Sequence, residues 1–350
     1  MDSSAPPGRT AVGDVGAILN QAVAMLRRGS SSLTGLLVLE LCLIALFWAL
    51  LPDSFPQVST LQAIMFQLPE LGILSLAMAI PLLSGGLNLA TVATTNQAAL
   101  LMAWMLTIVM PPDAGGVGLA LWIALSLALG LALCVLIGLA TGILIAVAGV
   151  HPILVTLGTM TMVSGFSVYF SRGTTLSGFP EPLLRLANDT VFGVPLSFLL
   201  FVALAILVHV LLTRTALGVR IHMSGSNLEA TRFSGVDTRR VLITVYVLSS
   251  VLCWVGALVM MSRFNSASAA YAESYLLITI LAAILGGIDP YGGFGRIAGL
   301  AVALCVLQTI ASGFNLLGLS PYLSLTIWGV TLLAVMGVKR LARALLRGPA

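Results

Sequence analysis

The chain of 350 residues is 59% hydrophobic and 8% charged, against about 25% charged in a typical soluble domain. A mean hydropathy of +1.09 excludes a soluble globule. The net charge of +4 does not describe a nucleic-acid patch, because twelve of the sixteen basic residues lie in three clusters before, between or after apolar runs.

In chain order, the first 32 residues are mostly polar and carry Arg9, Arg27 and Arg28. No cleavable signal is evident, since the first apolar run follows them and is long enough to stay in the membrane. Runs bounded by Pro, Gly or charge predict ten spans, near 33–51, 61–83, 92–110, 117–148, 152–171, 196–213, 241–262, 275–288, 296–313 and 320–338. Most are near the roughly 20 residues that cross a bilayer as a helix, while 275–288 is too short to cross comfortably. The expected fold is an all-α polytopic membrane protein with broken or re-entrant segments.

The longest polar interval between apolar runs is 214–240, with five arginines and two acids. Basic residues concentrate in cytoplasmic loops. That rule puts this loop, the N-terminal segment and the basic end with Lys339, Arg340, Arg343 and Arg347 in the cytoplasm. Six spans before the loop and four after it are both even, so the count agrees. Arg172, Arg185 and Arg263 then lie outside, and the other thirteen basic residues inside. The expected plan is a cytoplasmic segment 1–32, a transmembrane domain 33–338 with its loop at 214–240, and a basic cytoplasmic tail 339–350.

Inside the loop, Ser226-Asn227-Leu228-Glu229 fits the capping box, in which the Ser226 hydroxyl accepts from the Glu229 amide and Glu229 reaches back. A helix of about two turns should start there and close at Gly235, which tolerates the left-handed conformation. Charge alone leaves two readings open: a rigid knob, or an ordinary loop whose arginines only fix orientation.

Two stretches break the helical pattern. Pro81, Ser84, Gly85, Gly86 and Asn88 interrupt the second and third spans at membrane depth, and the short run 275–288 leads into Gly286-Gly287-Ile288-Asp289-Pro290-Tyr291-Gly292-Gly293. Paired interruptions in the two halves of a chain point to the centre of a transporter. The spacings Gly138-x-x-x-Gly142 and Gly295-x-x-x-Gly299 would let helix backbones approach closely.

Much chemistry is missing. Cys42, Cys134, Cys253 and Cys305 sit inside apolar runs without metal-type spacing, and His151, His209 and His222 are scattered, so no metal centre is expected. The single lysine, Lys339, has no glycine-rich phosphate loop before it. Any ATP-driven transport therefore needs a separate ATPase chain, and this chain is expected to hold no cofactor. Its sequence shows no nucleophile elbow and no zincin motif.

Glu40 and Glu70 lie inside apolar runs. Intramembrane acids often mark a pathway, whereas Glu70, following Pro69, equally suits a cap on a disturbed helix. The other intramembrane polar groups are neutral: Asn88, Thr91, Thr94, Thr95, Asn96 and Gln97, then Thr156, Thr159, Thr161 and Ser164. A hydroxyl and amide lining suits a hydroxyl-rich solute, and the same groups also commonly bond neighbouring helices. Glu70, Asn88, Asn96, Gln97, Thr156, Thr159 and Ser164 are the path candidates.

These residues carry a likeness. Gly85-Gly86-Leu87-Asn88-Leu89-Ala90 resembles the Gly-Gly-Ile-Asp-Leu-Ser stretch of the permease subunits of ribose-type sugar ABC importers, and 152–159 resembles their Pro-Phe-Ile-Val-Thr-Leu-Gly-Thr opening. Their central loop, Gly-x-Asn-x-x-Ala-Ala-x-x-x-Gly-Ile, is matched by Gly225, Asn227, Ala230, Gly235 and Val236, with Thr231 replacing the second alanine. Their late Leu-Gly-Gly and Gly-Gly-x-Gly pair is similar to Leu285-Gly286-Gly287 and Gly292-Gly293-Phe294-Gly295.

The resemblance covers nearly the whole chain. It implies a bacterial inner-membrane permease whose loop residues Gly225, Ser226, Asn227, Glu229, Ala230 and Gly235 couple to an ABC ATPase carrying ATP and magnesium. It also implies a second permease subunit and a periplasmic or lipid-anchored solute-binding protein. Asn88 and Ala90 depart from the acid and serine of the pattern, which leaves the sugar unspecified. Two alternatives remain: an importer of nucleosides or another hydroxylated molecule, and an ion-coupled secondary transporter using Glu40 or Glu70.

Overall fold

The computed structural model describes residues 33–320 together with 323, 326–330 and 333. The expected segments 1–32 and 339–350, and most of the expected tenth span, lie outside the described residues.

Among the described residues, eight helices are long and apolar enough to cross a membrane. In chain order, α1 is Leu33–Leu50, α2 Val58–Leu83, and α3 Thr91–Trp104, which widens into a π turn at Met105–Val109. Next come α4, Val117–Ala146, and α5, Pro152–Ser171. A short stretch holds β1 (Leu176–Ser177), α6 (Glu181–Asn188), β2 (Thr190–Val191) and β3 (Val194–Pro195). Then follow α7 (Leu196–Arg214), α8 (Ala216–Ser226), α9 (Leu228–Phe233) and α10 (Thr238–Phe264). The last described elements are β4 (Ser266–Ala267), α11 (Tyr275–Leu285) and α12 (Ile297–Leu316). Within a bilayer only structures that satisfy their own backbone can face lipid, and the long Leu-, Ala- and Val-rich runs do so as helices.

Helix α2 is the centre. Every residue from Leu68 to Leu83 is buried, as expected of a helix surrounded on all sides. Around it pack α10, α11, α12 and α7, and α10 in turn lies against α3 and α4. Gly138 and Gly142 of α4 face the α10 backbone at Tyr246–Val247 and Ile243, the close approach their spacing predicts. Helices α1, α4, α5 and α7 keep most of their surface outside the described core.

The structure moves the first break. Pro69 and Pro81 both lie inside a continuous α2, and irregular chain begins only at Ser84. Pro81 has no N–H to donate to the carbonyl four residues earlier. That carbonyl, on Ala77, accepts instead from the Ser249 hydroxyl of α10 at 2.7 Å. Ser249 is itself fixed by the Asn88 side-chain amide, which donates to its oxygen at 2.9 Å. A neighbouring helix supplies the donor that proline removed, so α2 survives.

The second glycine pair behaves differently from its expectation. Gly295 precedes α12 and packs on Leu83 and Ile288, whereas Gly299 lies inside α12 against the Gly286 carbonyl. The two glycines therefore do not share one helix face. At the opposite end of the bundle, β1 pairs with β4 and β2 with β3. There Asn265 accepts from the Phe179 amide at 2.9 Å, and Asn188 donates to the Ser262 carbonyl at 3.1 Å.

Candidate functional site: where the helix breaks meet the polar loop

The polar loop folds into two helices joined at a corner. Thr215 caps α8 by accepting from the Gly218 amide at 3.2 Å. At the corner, the N-cap of α9 is Asn227, whose side-chain oxygen accepts from the Ala230 amide at 2.9 Å. This corrects the expected capping box. Ser226 is the last residue of α8, and its hydroxyl is already donated to the His222 carbonyl at 3.0 Å. Ser and Asn are both good caps, and the hydroxyl bond to the carbonyl four residues back took Ser226 out of contention. Gly235 closes the short helix at φ +81, as the sequence predicts.

The corner touches both breaks. A side chain on Gly225 would fall on the Leu83 carbonyl and the Gly293 amide, and one on Gly292 would lie 3.0 Å from the Gly225 oxygen. The Gly293 amide donates to the Leu83 carbonyl at 2.9 Å. The breaks after α2 and after α11, far apart in sequence, thus meet each other and the end of α8 at one point. Only backbone fits there, which accounts for Gly225, Gly292 and Gly293 together. Gly85 also belongs to this contact, and Gly286 and Gly287 turn the chain out of α11.

The outer surface of the corner is an open groove of 470 Å³ lined by residues of α7, α8 and α9, including Leu212, Val219, Met223 and Thr231. Phe233 stands beside it, 90% exposed. Glu229 and Ala230 are exposed on α9.

The path candidates are not brought into one chamber. Asn88 completes the relay to Ala77 described above. Asn96 donates to the Ala269 carbonyl at 2.6 Å and accepts from the Ala272 amide at 3.0 Å, tying the segment before α11 onto α3. Gln97 accepts from Ser167 of α5 at 2.5 Å. Thr156 is fully buried and donates to the Leu87 carbonyl at 3.0 Å, while Thr159 faces Thr141 of α4. Ser164 is half-buried on α5. The open face of α5 carries Leu154, Gly158, Thr161, Gly165 and Tyr169, and nothing lies within 4 Å of where side chains on the two glycines would be.

Glu70 has partners that the sequence did not reveal. Its Oε1 lies 2.9 Å from Arg263 Nη1 at the end of α10, and its Oε2 accepts from the Tyr275 hydroxyl at 2.9 Å. The cap reading, in which Glu70 mends the helix at Pro69, gives way to an ion pair between elements. Glu40 accepts from Thr309 of α12 at 2.8 Å. Among the described residues no group of His, Cys, Asp and Glu is placed to hold a metal, and all four cysteines are free.

A family model described as "Branched-chain amino acid transport system / permease component" matches residues 60–336. The chain belongs to this permease family. The match covers both breaks and the α8–α9 corner. Relatives include proteins named "Autoinducer 2 import system permease protein LsrD". The one from Yersinia enterocolitica is 29% identical over 314 residues, 87% of this chain and 89% of that protein. Those from Photorhabdus luminescens and Salmonella typhi are 29% and 28% identical, each over 76% of this chain and 79% of the relative. No solved structure matches. The chain is thus a permease subunit of the ABC importer type, a multi-pass protein of the inner membrane rather than an enzyme.

Proposed function

We propose that this permease carries a sugar-like, hydroxyl-rich solute, delivered by a solute-binding protein outside and driven by a separate ABC ATPase inside. ATP and magnesium belong to that partner. The observation that carries the reading is the corner itself: α8 and α9 present a groove and an exposed Phe233 outward, and inward Gly225 and Ser226 pack directly on both helix breaks. A partner pulling on this corner displaces the breaks directly, because only glycines and the short Ser226 side chain lie at the contact, with no long side chain to absorb the movement. The class of solute rests on the import of autoinducer 2 named for the relatives and on the ribose-type motifs. Two such permeases would enclose the path, with the open face of α5, bearing Gly158, Thr161 and Gly165, turned toward it.

An ion-driven transporter would need a carboxyl free to bind and release its ion; Glu70 is held by Arg263 and Tyr275, which leaves Glu40, bonded to Thr309 through one oxygen, as the carboxyl such a reading would use. The test is uptake of labelled ribose and autoinducer 2 into proteoliposomes holding the permease with its ATPase and binding protein. Uptake of either solute that requires ATP and both partners supports the reading. Uptake by the permease alone on a proton or sodium gradient overturns it.

A further inference from the structure

Helix α11 is only 11 residues long, about 16 Å at 1.5 Å per residue, so the bilayer does not fix its position by thickness. The chain holds it at both ends instead. At the far end, Gly292 and Gly293 are pressed against Gly85, Gly225 and Ser226. At the near end, the Tyr275 hydroxyl is bound to Glu70, whose other oxygen faces Arg263. Glu70 is 1% exposed, while the Arg263 side chain keeps 20% of its surface and also lies over the Phe264 ring, 5.5 Å from its centroid. The trio therefore joins the middle of α2 to the last turn of α10 and the first residue of α11.

We infer that Glu70, Arg263 and Tyr275 are positioning residues for coupled transport: they hold the near end of α11 so that movement at the α8–α9 corner opens the path only when solute is delivered. The inference rests on the corner being the ATPase contact. A buried ion pair is a poor device for stability alone, because well-packed apolar residues of similar volume do as well or better. An ionisable pair kept inside a membrane protein is a functional feature by default. Its members sit on three separate elements, and the Arg263 side chain keeps 20% of its surface open, which leaves room for the pair to part and re-form as α11 shifts.

The experiment uses the assembled importer of permease, ATPase and binding protein, the last isolated with whatever solute it carries from the cell. Phosphate release is measured with and without the binding protein for the wild type, Tyr275→Phe and the paired apolar variant Glu70→Leu/Arg263→Met. The wild type must show stimulation by the binding protein; its absence would indict the ATPase-driven reading itself. The inference predicts that the paired variant assembles and melts near the wild type but hydrolyses ATP without the binding protein, so that stimulation falls about tenfold. Tyr275→Phe, which removes one oxygen and no volume, should lose part of the stimulation. Wild-type stimulation in the paired variant would reduce the trio to packing and overturn the inference. If the paired variant does not assemble, Tyr275→Phe decides alone, and full stimulation in it overturns the inference equally.

Discussion

Asn88 stands where the resembling sequences carry an acid, and the reason lies in a hydrogen. Its amide donates to Ser249, and Ser249 donates to the carbonyl that Pro81 leaves open. Aspartate has no hydrogen to give, so Asn88→Asp would set two acceptors on one hydroxyl. The expected loss is about 1–3 kcal/mol of stability, the usual penalty for a buried polar group left unsatisfied, read as a lower melting temperature in detergent. Ser249→Ala should cost more, because it strands both Ala77 and Asn88. Gly225→Ala should also destabilise, by about 1–3 kcal/mol, since overpacking against backbone cannot relax as a side chain would. Gly118→Ala is the control, because space there is open; its melting temperature should match or exceed the wild type. None of these pairings was legible in the sequence. The relay links residues 161 and 172 positions apart, and the partners of Glu70 lie as far away, whereas sequence patterns report only neighbours along one helix. Arg263 read only as one of three basic residues lying outside, because nothing local distinguished it.

At the scale of elements, the boundaries of the long helices follow the hydropathy closely: 152–171 is reproduced as α5, and 117–148 becomes α4 with two residues fewer. The agreement has a physical cause, since in lipid the apolar run and the hydrogen-bonded run are the same thing. The corner was harder. Its helix and its closing Gly235 were legible, but the cap was displaced by one residue, to Asn227, once Ser226 turned its hydroxyl back on α8. Asn227→Ala should therefore loosen α9, at a cost of about 1 kcal/mol, and weaken retention of the ATPase during purification. Ser226→Ala should leave both nearly unchanged. Glu229→Arg and Gly235→Pro should leave the protein inserted and abolish that retention, the first by reversing the charge that faces the partner and the second because proline cannot adopt φ +81. Full co-purification of the ATPase with both variants would remove α9 from the contact.

For the whole molecule, the proposed coupling rests on how its parts are connected. A central helix buried over its inner two-thirds, two breaks that meet at one point, and a polar corner seated on that point make one connected body. Composition foretold the membrane, and the paired glycines foretold the breaks. That the breaks meet each other and the corner was not foretold, because three backbones in contact leave no mark in sequence beyond the glycines that permit it. The central claim is that a partner on the cytoplasmic side grips this corner. It is tested by labelling Phe233→Cys, in a variant whose four native cysteines are serines, with a membrane-impermeant maleimide. The account predicts labelling in inside-out vesicles stripped of the ATPase, protection once the ATPase is added back, and no labelling in intact spheroplasts. Labelling in intact spheroplasts would contradict it.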